Sequence, residues 1–310
     1  METASRSGAA VDNPAAGAPR LWMDRHSLVR LVIEFAGVAL AVIVIQTAFG
    51  QLVSRNWLTG AIGRTAAAAA MVASAVAAYC WLVRLIERRR PSELSLRGAG
   101  AELAGGVAVG CFLFSAVIGT LWFLGSYRVT GVGAWSAAAG ALAGSVVSGA
   151  VEEILFRGVV FRNLEDQVGT WAALVASAAL FGLLHISNPH SSPWAAAAIA
   201  IEAGVLLAAG FLLTRRLWLV MGIHFAWNFT QGGIFGVAVS GGHASGLLTS
   251  TLTGPPLVSG GEFGAEASVV AVAICLAAGL VFLARAHALG HFLRPAWRRG
   301  RPAAPASDAP

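Results

Sequence analysis

Two adjacent glutamates, Glu152 and Glu153, stand in a stretch that otherwise avoids charge, and Arg157 follows four residues after Glu153. Two histidines, His185 and His224, and an asparagine, Asn228, interrupt later apolar runs. Carboxylates, imidazoles and a carboxamide can take a proton from water, pass one on, and donate hydrogen bonds to a developing oxyanion. An ionisable side chain within a membrane span costs several kcal/mol, so these residues are functional candidates. Glu202 and Glu34 are single acids in other apolar runs. Each reads mainly as structural, facing a water-filled groove or a loop end.

The spacing sorts the candidates. Glu153 and Arg157, at i and i+4, share one helical face and can pair. Glu152 is then left to face another side. His224 and Asn228 are also at i and i+4, so both project from one stripe. Glu152 lies fourteen residues before Asp166 and His185 eighteen after Gln167, around a turn between successive helices. At 1.5 Å per residue these are depths of roughly 21 and 27 Å along the helices. His224 and Asn228 follow Arg216 by eight and twelve residues, or roughly 12 and 18 Å. Helices tilt and the turn protrudes, so Glu152, His224 and Asn228 can share a level in the bilayer, with His185 somewhat further on.

The elements that must hold these residues are membrane helices. The 310-residue chain is 57% hydrophobic and only 12% charged, about half the charge usual in a soluble domain. Apolar blocks of bilayer length fall at 31–49, 65–86, 103–124, 136–163, 170–187, 194–213, 217–239 and 267–287. The fold expected is all-α and polytopic, with about eight spans and the site in a bundle of the central ones. Residues 1–27 are expected to be a disordered cytoplasmic segment, and 28–97 to hold two helices and a basic loop. The core spans 98–239, an outer loop 240–266, the last helix 267–294 and a disordered cytoplasmic tail 295–310. No cleavable leader is evident, and the run from Leu31 reads as an uncleaved anchor.

All 21 basic residues are arginine. With the N-terminus inside, eighteen of them fall on the inner side and only Arg55, Arg64 and Arg128 outside. That asymmetry favours a multi-pass protein of the cell (plasma) membrane with both termini cytoplasmic. It also explains the net charge of +6 without nucleic acid. Cys80, Cys111 and Cys275 all sit in apolar blocks and form no CxxC pair, so they read as small buried hydrophobes.

Three motifs follow in order on successive helices: Glu152-Glu153-Ile154-Leu155-Phe156-Arg157, Phe181-Gly182-Leu183-Leu184-His185 and His224-Phe225-Ala226-Trp227-Asn228. Together they resemble the E-E-x-x-x-R, F-x-x-x-H and H-x-x-x-N motifs of the CPBP family, the CAAX proteases and bacteriocin-processing enzymes. The resemblance covers about residues 98–235, and no motif position is substituted. It implies an intramembrane endopeptidase opening toward the cytosolic side, acting on a peptide or membrane-protein substrate. It also implies that Glu152, His185, His224 and Asn228 form the catalytic set, supported by Glu153 and Arg157.

Amide hydrolysis fits such a set. A glutamate in a low-dielectric cavity suits a general base, His185 can orient the water, and His224 and Asn228 can donate to the oxyanion. The family has been described both as zinc-dependent and as using glutamate-activated water. A zinc ion would take Glu152, His185 and His224 as ligands, and Glu153 would then have to act as base; Glu152 is the preferred base. There is no H-E-x-x-H. A non-catalytic bacteriocin-immunity or scaffold protein of the same fold is the alternative. A proton-coupled transporter is disfavoured by the lack of internal repeats or paired broken helices.

Overall fold

The structure, a computed structural model, describes residues 26–55, 57, 60–243 and 245–299. The N-terminal segment expected to be disordered lies outside these residues, except for its end, where the first helix begins at Ser27.

Among the described residues, seven helical stretches are long and apolar enough to cross a membrane: Ser27–Ser54, Ile62–Glu87, Ala99–Phe123, Trp135–Val168, Thr170–Ser187, Pro193–Thr214 and Val269–Ala288. The chain is an all-α, multi-pass membrane protein. We label α1 Ser27–Ser54, α2 Gly60–Leu82, α3 Ala99–Phe123, α4 Trp135–Val147, α5 Arg162–Val168, α6 Thr170–Leu184, α7 Pro193–Ile199, α8 Leu206–Thr214, α9 Trp218–Asn228, α10 Pro256–Ser259 and α11 Val269–Ala288. The expected span at 217–239 is a shorter helix. It comprises the eleven residues of α9 and six of π-helix, Phe229–Ile234, and Gly236 breaks it with a φ of 64°. The span expected at 136–163 instead runs on through α5, and Gly169, at φ 79°, makes the turn into α6.

The segment 240–266 is more than a loop. Its strand β2 (Leu248–Leu252) pairs antiparallel with β1 (Tyr127–Val132). Farther on, Phe263 packs with Phe156, Phe181 and Ile199 in a small apolar cluster. The residues after α11 fold back, and Leu293 N–H donates to Thr170 Oγ1 at 2.8 Å. Arg299 donates to the Asp166 carbonyl. The expected disorder of 295–310 does not hold for 295–299, where Ala296–Arg298 forms an exposed 3-10 turn; the rest lies outside the described residues.

Burial ranks the helices. In the apolar window of Pro193–Thr214, 67% of residues are buried inside the protein, against 17% for Ser27–Ser54. The first is the central pillar and the second a peripheral helix. α1 is held by polar contacts: Arg30 donates to Asn163 and Asp166, while Glu34 accepts from Asn163 at 2.9 Å and Arg162 at 3.2 Å. Arg162 also clamps Glu87 through two bonds of 2.6 and 2.7 Å. Glu34, isolated in the sequence, therefore belongs to an ion network joining α1, the π-helical turn Val83–Glu87 after α2, and α5.

α9 is held by close backbone approach to α3. A Cβ on Gly106 would overlap the Leu219 carbonyl oxygen, and one on Gly222 would overlap that of Leu103. Small residues allow this contact between membrane helices. Gly106→Ala should lower stability by about 1–3 kcal/mol, the usual cost of overpacking. Gly105→Ala, where nothing lies within 4 Å, should be neutral or stabilising in the same thermal-melt comparison in detergent.

Candidate active site

Three helical stretches carry the motif residues and a fourth carries Glu202, and each is π-helical beside these residues or immediately after them, except α6. The stretches Ser148–Glu152 and Ile154–Phe161 surround the glutamate pair, Ala200–Val205 carries Glu202, and Phe229–Ile234 follows Asn228. Short π-segments recur at functional sites because the extra residue per turn re-aims side chains.

His224 is the hub. Its Nδ1–H donates to Glu153 Oε1 at 2.8 Å, and its Nε2 lies 4.0 Å from Glu152 Oε2. Arg157 Nη1 donates to the same Glu153 oxygen at 2.9 Å, and its Nη2 donates to the Ala203 carbonyl at 2.9 Å. Its guanidinium also lies over the Phe181 ring, 4.7 Å from the centroid. Glu153 and Arg157 are buried, and their expected i,i+4 pair is present. Glu153 thus has a further role that the sequence did not signal: it fixes the His224 ring from across the bundle. Glu152 keeps 34% side-chain exposure and no hydrogen bond ties it down among the described contacts.

His185 caps α6. Its Nδ1–H donates to the Phe181 carbonyl at 2.8 Å, which leaves Nε2 as the acceptor. Asn228 donates through Nδ2 to Ser148 Oγ at 2.8 Å, a partner that spacing did not reveal. His185, His224 and Asn228 line one cavity of about 390 Å³, open mouth included, with Phe181, Leu206 and Trp227 among its apolar walls. Glu152 does not line it and reaches the site at the Nε2 edge of His224.

The cavity also contains three residues that the sequence reading set aside or missed: Glu202, Ser240 and Glu266. Glu266 sat in a stretch read as outer loop, with no helical period to mark it. Here it accepts from the Ser240 backbone N–H at 2.6 Å and from Ser240 Oγ at 2.9 Å. Burial pushes its carboxyl up to about 7, against the hydrogen bonds from Ser240. An acid raised in the folded state contributes stability that is full below its unfolded pKa and lost as pH rises through the folded value. Melting measured in detergent should therefore fall between about pH 5 and about pH 8, by up to about 3 kcal/mol, and Glu266→Gln should remove that part.

Among the described residues, no three His, Cys, Asp or Glu side chains converge closely enough to hold a metal ion. Glu152, His185 and His224 as placed do not form a three-ligand set.

Residues 133–230 match the family model described as type II CAAX prenyl endopeptidase Rce1-like. The matched segment runs from the start of α4 through the motif of α9 and includes all three motifs. The match agrees with the resemblance of the three motifs to those of CPBP proteins. No curated protein and no solved structure matches the chain.

Proposed function

We propose that the protein is an intramembrane endopeptidase that hydrolyses a peptide bond near the cytosolic membrane face with water activated by Glu152. The observation that carries this reading is the clamp on His224. Glu153 holds one ring nitrogen at 2.8 Å, while the other faces Glu152 across 4.0 Å. That gap is too wide for a direct hydrogen bond and suits one water touching both groups.

Glu152 takes a proton from this water, and the oxygen adds to the substrate carbonyl carbon. Protonated His224 and the second N–H of Asn228 donate to the oxyanion so formed. His185, with Nε2 as acceptor, orients the water. The proton held by Glu152 then passes to the leaving nitrogen as the C–N bond breaks. Phe181, Leu206, Leu207 and Trp227 keep bulk solvent from the cavity. This reading places the protein in the cell membrane, where α9 and the π-stretch after it cross as an eighth span and leave both termini cytoplasmic, and the substrate is a peptide or a membrane protein.

Comparative peptidomics of membranes from cells carrying the wild type or Glu152→Ala tests the proposal. Peptides produced by the wild type should vanish in the variant at equal protein level. Identical peptide sets would refute it and favour a non-catalytic scaffold.

A further inference from the structure

Eleven acidic side chains fall among the described residues. Nine of them have an arginine or histidine nitrogen within 4.0 Å: Glu34, Glu87, Glu93, Glu102, Glu152, Glu153, Glu165, Asp166 and Glu262. The two without a basic partner are Glu202 and Glu266. They are only 3% and 2% exposed, and both line the cavity beside His224. Elsewhere in this protein, burial of an acid comes with a cation. Here two acids are buried in one cavity with no arginine or histidine nitrogen within 4.0 Å among the described residues.

The cavity suggests what would supply a cation. Ile199, Leu206, Leu207 and Trp227 make an apolar wall, which suits the methylene stem of a long side chain. Trp227, also in the lining, is of the ring type most attractive to a cation. Its buried indole Nε1–H has no partner among the described residues. Glu266 is anchored by Ser240, and Arg157 and His224, the nearest cations, are engaged by Glu153. An aliphatic stem with a cationic head can occupy the wall and the acidic end together. An aliphatic side chain would leave both carboxyls without a cation, with hydrogen bonds such as those from Ser240 to Glu266 as their support.

We propose that this cavity is a specificity subsite for a basic side chain of the substrate, arginine or lysine, bound between Glu202 and Glu266. The subsite gains its role in catalysis from the protease reading, but its ligand preference can be measured without any cleavage. Nα-acetyl-arginine methylamide and its citrulline counterpart have nearly the same shape and differ in charge. Binding to the purified full chain in detergent is followed by tryptophan fluorescence and by thermal shift. The arginine compound should bind at least tenfold more tightly to the wild type and to Glu152→Ala. Glu202→Gln and Glu266→Gln should each bring the two compounds to within about threefold. Equal binding to the wild type, or a preference that survives both substitutions, overturns the proposal. Loss of cleavage bears only on the protease reading, because the arginine–citrulline difference is read in Glu152→Ala as well. Glu202→Gln, away from Ser240, provides the answer if Glu266→Gln fails to fold.

Discussion

Replacing Glu152 by glutamine should reduce peptide cleavage by about 10²–10⁴-fold, the usual contribution of a positioned general base, and leave the melting temperature close to wild type. The rate effect follows from chemistry: a carboxamide of the same shape cannot take the proton from water. The small stability effect follows from position. Glu152 is partly exposed, and among the described residues the one basic nitrogen within 4.0 Å of it is His224 Nε2, at 4.0 Å, so removing its charge breaks no close buried pair. Cleavage retained within threefold, with the protein intact, would move the base elsewhere. Glu153 would be the next residue to test.

Glu153→Ala should give the opposite balance, with loss of both folding and rate. It leaves Arg157 buried without its carboxylate, and breaking a buried pair by removing one partner costs about 3–5 kcal/mol. It also frees the His224 ring. Arg157→Ala should destabilise similarly, because Arg157 also satisfies the carbonyls of Ala203 and Gly204 at 2.9 and 3.3 Å. The two single losses should not add in the double variant, since each already breaks the same pair. Melting in detergent combined with cleavage at a temperature where the variant is folded separates the two effects. A Glu153→Ala protein as stable as wild type would contradict the clamp.

Much of the site could be read in the sequence because membrane segments make polar residues conspicuous. Glu152, Glu153, His185, His224 and Asn228 stood out against apolar runs, and the Glu153–Arg157 pair followed from their i,i+4 spacing. The bond between Glu153 and His224 could not be read this way. It joins residues 71 positions apart, and periodicity within one helix says nothing of which neighbour a face meets. A depth counted at 1.5 Å per residue holds for an α-helix, whereas π-segments border the glutamates. Glu266 escaped because hydropathy and helical period were the only guides, and its stretch has neither. The short helix after Arg216 passed as a full span because its flanking residues, up to 239, are apolar enough to extend the pattern.

The π-helical stretches also bear on how such a site can arise or be lost. In an α-helix each residue advances about 100° around the axis. Inserting one residue into a regular span turns everything before it relative to everything after by that angle. A lipid-facing position can thus become a cavity-facing one while the hydrophobic pattern on both sides stays intact. Deleting a single residue within Ala200–Val205 would reverse this. It would swing Glu202 out of phase with the cavity while the composition of the helix hardly changed. In a chain like this one, gain or loss of one codon at a π-segment alters the site more than most substitutions would, with little trace in hydropathy.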